Sequence, residues 1–328
     1  MTGSMQPPTL GPGLTAGLAA GLMAVAAAIS PALAKSKKEP AGQAAPQVNS
    51  TPAKPKVVSG SDPGGIAVAL IGSGVNYLLP QMANRLARDG EGDIIGLDFI
   101  DRDNRPFDVA TPDSTPDGVR PLGTTLASVL LWAAPVRLVP VRIRLGEPRA
   151  FGGAAAFVAS TPARIAIVAF ASPTQADWEP FRQAALAAPN VLFVIPAGDT
   201  RQDLDKEPLY PASLGLPNAI VVTTADAKDG KLAGAANGGV ATVDVAVTAV
   251  PAPGLTLDGA QVQVTGTRYE AAVLAAIASN LLAAGPRWSA VELKARIIAQ
   301  AVPMAAEPTP RTRHGIIVRT VENGRIRF

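Results

Sequence analysis

Val191-Leu192-Phe193-Val194-Ile195-Pro196-Ala197-Gly198-Asp199 is an apolar run that ends in a proline and a glycine-containing turn. A short apolar run bounded by turn residues reads as a buried strand, and its neighbours repeat the pattern. Downstream lie Tyr210-Pro211-Ala212-Ser213, Leu216-Pro217-Asn218, the strand-like Ala219 to Thr223 and then Val243-Asp244-Val245. Upstream, strands are expected at Ile66 to Ile71, Asp93 to Phe99, Val136 to Ile143 and Arg164 to Phe170. Between and after them, longer amphipathic stretches predict helices over Leu78 to Arg88, Thr124 to Trp132, Gln175 to Ala188, Thr267 to Ala284 and Ala290 to Ala301. Strands alternating with helices are the pattern of parallel strands joined by helical crossovers, so the fold class is α/β, a doubly wound, mostly parallel sheet with helices on both faces.

The chain is read in three parts. Residues 13–34 are apolar and uncharged and end in Pro31-Ala32-Leu33-Ala34 before Lys35, so residues 1–34 are expected to be a cleaved export signal or an uncleaved membrane anchor. The small residues Ala32 and Ala34 favour cleavage, whereas Lys35, Lys37 and Lys38 lie on the side opposite to a signal's usual basic end. Residues 35–63, rich in Pro, Lys, Ala, Ser and Gln, read as a solvated linker. Residues 64–328 contain no repeat and no second linker, and are expected to form one domain.

Composition narrows the function. Residues 1–60 hold five Lys and one Glu, so the remaining 24 basic and 25 acidic residues leave the rest of the chain at a net charge of −1, with no footprint for nucleic acid. There is no Cys, and the single His, His314, sits in Arg311-Thr312-Arg313-His314-Gly315, where an exposed role is expected. Thiol chemistry and histidine-rich metal sites are thereby excluded, and no cofactor is expected. Asp101 and Asp103 have carboxylates at calcium-loop spacing, but Pro112 stands where a bidentate Glu is needed, so a solvated turn is expected and no metal. Gly72-Ser73-Gly74 after Val68-Ala69-Leu70-Ile71 has the form of a phosphate loop, yet Tyr77 occupies the position of its third glycine.

Taken together, the ordered motifs resemble the subtilisin-like serine peptidases. Val68 to Gly74 resembles that family's first strand, with Gly72 at the Asp position. Gly96-Leu97-Asp98-Phe99-Ile100-Asp101 resembles its second strand. Pro116-Asp117-Gly118 and Pro121-Leu122-Gly123-Thr124-Thr125-Leu126-Ala127-Ser128 resemble the helix start that carries the catalytic His, here Leu122. Pro140-Val141-Arg142-Ile143 and the segments from Val191 to Val245 follow in the family's order, with Asp199 at the oxyanion Asn. Thr265-Gly266-Thr267-Arg268-Tyr269-Glu270-Ala271-Ala272 stands where the nucleophile is expected, with Arg268 at the Ser position.

The resemblance therefore implies the fold together with a degenerate triad and oxyanion hole at Gly72, Leu122, Arg268 and Asp199: an exported, periplasmic or extracellular pseudoprotease. A protein or peptide partner of unknown identity is implied by the same likeness, since extended peptides pair with exposed strand edges without any need for a triad. The alternative is a serine endopeptidase with surviving activity. The resemblance also places Arg268 and Asp199 in one cleft, where they either pair and plug it or both point to water.

Overall fold

The computed structural model describes residues 54–328 apart from 110–121, 145, 286, 305–310, 323–324 and 328. The chain enters on strand β1 (Ala67–Gly72), makes one turn of helix α1 (Pro80–Ala83) and a short strand β2 (Leu97–Asp98), then passes through helix α2 (Gly123–Ala133) into β3 (Arg137–Arg142). Helix α3 (Pro148–Ser160) leads to β4 (Ala163–Val168), and α4 (Glu179–Leu186) to β5 (Leu192–Pro196). Next come β6 (Ala219–Ala225), β7 (Val245–Thr248), a hairpin of β8 (Ala252–Leu255) and β9 (Gln261–Val264), helices α5 (Thr267–Ala284) and α6 (Ala290–Ile298), and the short strands β10 (Ile316–Ile317), β11 (Thr320–Glu322) and β12 (Arg325–Arg327).

Eight strands form one sheet in the order β10-β7-β6-β5-β4-β1-β3-β2, and every pairing within it is parallel. The doubly wound α/β expectation holds. From β1 the chain winds towards β3 and β2, then crosses back over β1 to β4. The sheet therefore changes winding direction at β1, and crevices that bind ligands in such sheets lie beyond the carboxyl ends of the strands at that point.

Alternate residues feed two cores, as a period of two requires. Val68, Leu70, Ile165, Ile167, Leu192 and Val194 face α2, α5 and α6. Ala69, Ile71, Val139, Val141, Phe193 and Ile195 face α3 and α4, where Phe151 stacks on Trp178 at 4.3 Å and Phe181 meets Phe193 edge-on at 5.2 Å. Fully burying each Val, Leu, Ile or Phe contributes about 1.5–3 kcal/mol, so both layers are strongly held. Alanines fill most of the middle of α5, letting α2 and the sheet pack closely around a helix that is apolar on nearly every side. A capping box opens α6, with Glu292 N–H donating to Ser289 Oγ at 3.3 Å and Ser289 N–H to Glu292 Oε2 at 2.7 Å.

Four expectations are corrected. The helix over Leu78 to Arg88 stops after Ala83, because the backbone of residues 85–87 bonds to β3 instead: Leu138 N–H donates to Arg85 O at 2.7 Å and Ala87 N–H to Leu138 O at 2.8 Å. The strand over Asp93 to Phe99 shrinks to Leu97–Asp98, since the Asp98 carboxylate turns the chain by accepting from Ile100 N–H at 2.8 Å. Helix α3 was not foreseen. Its Gly152 and Gly153 argue locally against a helix, but a Cβ there would come within 2.9 Å of Pro180 and 2.7 Å of Phe99.

The fourth correction concerns the end of the proposed linker. Residues 54–63 lie against the domain: Tyr77 Oη donates to Pro55 O at 2.8 Å, Gly60 N–H to Gly92 O at 3.1 Å, and Arg137 pairs with Asp62 at 2.7 Å. Lys54 reaches Asp98, Asp101 at 2.7 Å and Asp103 at 3.2 Å, and Arg142 joins them through Asp98 at 2.8 Å. Asp101 and Asp103 are thus members of an ion cluster and not of a simply solvated turn. Residues 13–34 and Pro112 fall outside the described residues, and among those described no helix is long and apolar enough to cross a membrane.

Candidate functional site

Gly72 is the last residue of β1, at the point where the sheet changes winding direction, and its carbonyl accepts from Ile143 N–H at 3.0 Å. A Cβ added there would meet Ala169 at 3.5 Å, an ordinary contact, so packing does not dictate glycine at this position. The adjoining Ser73 Oγ accepts from Gly123 N–H at 3.0 Å and ties the end of β1 to the start of α2. Leu122 is the half-buried N-cap of α2 and supplies no capping side chain. Gly123 is dictated by packing, since a Cβ there would collide with the Gly74 carbonyl.

The capping group for α2 is Asp108, a residue the sequence reading did not single out. Its Oδ2 accepts from Thr124 N–H at 2.8 Å and Thr124 Oγ1–H at 2.7 Å, while Asn76 N–H donates to Thr124 Oγ1 at 2.9 Å. Asp108 is fully buried, and burial pushes its carboxyl above the usual range despite those hydrogen bonds. The Asn76 side chain continues the network to the hairpin turn, donating to Leu257 O at 2.6 Å. Nothing local in Pro106-Phe107-Asp108 signals this role, which depends on a helix arriving from another part of the chain.

On the far side of β4, Asp199 follows β5 through a turn at Gly198. Its carboxylate accepts from Thr267 N–H at 3.1 and 3.2 Å and from the Thr267 hydroxyl. It therefore occupies the positive end of α5, an 18-residue helix whose N-cap, Gly266, has a φ of 119° that favours glycine. Buried Asn237 holds the same turn: its Oδ1 accepts from Thr200 N–H and Gln202 N–H, both at 2.9 Å, and its Nδ2 donates to Ala197 O at 2.8 Å.

The structure thus brings Gly72 beside the start of α2, where Leu122 stands, and Asp199 beside the start of α5, where Arg268 stands. It does not bring Arg268 and Asp199 into an ion pair. Arg268 is half-buried and has no salt bridge among the described residues, because the Asp199 carboxylate is turned onto Thr267. The first turn of α5 also carries Glu270, fully buried and 2.8 Å from Arg319, with burial lifting its carboxyl to about 8 against the pull of that guanidinium. Arg319 also donates to Thr248 O at 2.9 Å and to Val250 O, so it holds the chain that leaves β7 against the start of α5.

A cavity of about 480 Å³ lies at the end of β2, lined by Leu97, Phe99, Arg102, Glu147 and Arg149 among others. The hairpin of β8 and β9 packs on α2, with Leu255 N–H donating to Ser128 Oγ at 2.8 Å. Among the described residues β9 pairs only with β8, and Gln261 and Gln263 are exposed. His314 is exposed and its ring is not part of either helix start; its N–H donates to Asp244 O at 2.9 Å.

No family model matches the chain, and no curated protein matches it by sequence. Solved structures do match. A cold-adapted subtilisin-like serine proteinase superposes with a TM-score of 0.64 at 19% identity, over 81% of this chain and 93% of that one. The A-subunit of an AB5 toxin from E. coli gives 0.62 at 16% identity over 77% and 89%, and a lanthipeptide protease 0.60 at 16% over 78% and 86%. At these identities the likeness is one of fold, and it extends over most of the chain: this chain has the subtilisin-like fold.

Proposed function

We propose that this protein is an exported, catalytically silent subtilisin-fold protein that holds extended peptide or protein segments without cutting them. The observation that carries the reading is the set of residues at the carboxyl edge of the sheet. Peptide hydrolysis on this fold requires a hydroxyl to attack, an imidazole to take its proton, a carboxylate to orient the imidazole and a neutral donor for the oxyanion. Gly72 has no side chain to orient anything, Leu122 accepts no proton, and the Arg268 guanidinium is a donor with no nucleophilic electron pair to offer. Asp199 adds a negative charge where negative charge would develop, and it already accepts the first N–H of α5.

Binding needs none of these groups. An extended segment adds to an unpaired strand edge through its backbone and places alternate side chains in neighbouring pockets. The outer edge of β9 and the cavity at the end of β2 are features of that kind at or near the same edge of the sheet. Export is read from residues 13–34 and the small residues before Lys35.

The test is cleavage. The full chain is incubated with an unstructured protein and a mixed peptide library, and products are read by mass spectrometry beside a variant carrying Gly72→Asp, Leu122→His, Arg268→Ser and Asp199→Asn. No product from the natural chain, with peptides retained on it, is the expected result. Product that vanishes on mutating one of its own residues would establish a surviving endopeptidase instead.

A further inference from the structure

At the opposite end of the sheet, where β6 and β7 begin, a separate cavity of about 220 Å³ is lined by Ser213, Leu216, Val221, Asp244, Lys294 and Arg313 among others, with Ala241 also on its wall. Asp244 is nearly buried, its side chain 4% exposed, and its Oδ2 accepts from Val221 N–H at 2.8 Å and Lys294 Nζ at 2.9 Å. Lys294 also donates to Ala219 O at 2.6 Å, which leaves one of its three N–H groups without an acceptor among the described residues. Arg313 donates through Nη2 to Ala241 O, while its Nη1 stands 4.0 Å from Asp244 Oδ1, beyond hydrogen-bond range. Ser213 Oγ accepts from Leu209 N–H at 3.2 Å, so its own proton is available.

Two features select a ligand. The cavity has unfilled donors on Lys294, Arg313 and Ser213, so it calls for an acceptor. Among the residues that line it, two cations face one carboxylate, which leaves a single positive charge to balance, the neighbouring Asp205 carboxylate being turned onto the Ala241 N–H at 2.9 Å, and Leu216 and Val221 supply an apolar wall beside it. A dianion would overshoot that charge and face Asp244; a neutral molecule would leave it unmet.

We propose that this cavity binds a small organic monocarboxylate, with its carboxylate on Arg313 and Lys294 and its hydrocarbon part against Leu216 and Val221. Guanidinium and carboxylate match in geometry, and the contact is charge-assisted on both sides. The site lies at the amino ends of the strands and is independent of the peptide-binding reading, so either can fail without the other.

Thermal unfolding and titration calorimetry of the full chain with butyrate and benzoate test it, with butanol, butylamine and inorganic phosphate as controls and chloride matched throughout. Saturable stabilisation by both carboxylates, absent with butanol and butylamine and weaker with phosphate, is expected. Arg313→Gln is expected to weaken butyrate about tenfold or more. Should that variant fold poorly, Ala241→Phe at the exposed mouth narrows the cavity without touching the core and is expected to weaken binding as well. The proposal is overturned by unsaturable or absent binding of both carboxylates, by butanol or phosphate binding as tightly as butyrate, or by Ala241→Phe together with a folded Arg313→Gln binding butyrate like the natural chain.

Discussion

Glu270 shows how much a single position in this chain depends on what surrounds it. In the sequence it is one acidic residue near the start of a helix, where a carboxylate ordinarily profits from the helix dipole. In the structure it is fully buried, its Oε2 has no hydrogen-bond partner among the described residues, and its carboxyl is raised to about 8. Between the ordinary value near 4.5 and that raised value the folded chain holds a proton that the unfolded chain has released. Glu270 therefore favours folding at low pH, and its contribution is lost as pH rises through about 8. Glu270→Gln keeps the shape and the acceptor for Arg319 but removes the titration. Urea unfolding midpoints measured from pH 5 to 9 are expected to fall with pH in the natural chain and to flatten in the variant. An equal slope in both would place the pH dependence elsewhere. Asp199 makes the same point differently: a carboxylate that looks free to pair with Arg268 is claimed by a backbone N–H and a hydroxyl.

Among the elements, α2 and the β8–β9 hairpin form one wall, and Asn76 is the joint between them. Its Oδ1 accepts from Leu78 N–H at 3.0 Å and its Nδ2 donates to Leu257 O, so one side chain fixes both the loop after β1 and the hairpin turn. Asn76→Ala leaves the Leu257 carbonyl without that donor and is expected to cost about 1–2 kcal/mol. Its more specific signature is local. Hydrogen exchange is expected to quicken in the hairpin while β4 and β5, buried on both faces, keep their protection. Uniform acceleration across the sheet would show that Asn76 supports the domain as a whole and not the hairpin. At this scale the sequence was an uneven guide. The bounds of α5 were legible in full because its apolar face is long and uninterrupted, whereas α3 was hidden by Gly152 and Gly153, residues chosen for contacts with Pro180 and Phe99.

Across the whole molecule, the end of the apparent linker is a structural strap. Lys54 is only 10% exposed among three carboxylates, one of which, Asp98, is fully buried. Its hydrogen bond holds the Asp101 carboxyl below the ordinary range, so this part of the stability is present above about pH 3.8 and is lost as pH falls through the lowered value. Lys54→Met leaves Asp98 with Arg142 as its remaining cation and is expected to lower stability by about 1–3 kcal/mol at neutral pH. Unfolding midpoints at pH 7 and pH 3 check it: the gap between the two chains should narrow at the lower pH. An unchanged midpoint at pH 7 would mean that the strap rests on the surface without supporting it.

By itself, the sequence determined the doubly wound, mostly parallel α/β class, the central strands β1, β3, β4, β5 and β6 and the residue types standing at Gly72, Leu122, Asp199 and Arg268, because strand burial and motif order are written in local apolar pattern and chain sequence, whereas the order of the strands within the sheet came from the tertiary structure. Tertiary structure alone decided that Asp199 caps α5 instead of meeting Arg268, that buried Asp108 anchors α2, and that Lys54 belongs to the domain. Each of these depends on which distant donor or charge comes within about 3 Å, a distance that separates hydrogen-bonded partners from mere neighbours and that no local pattern encodes.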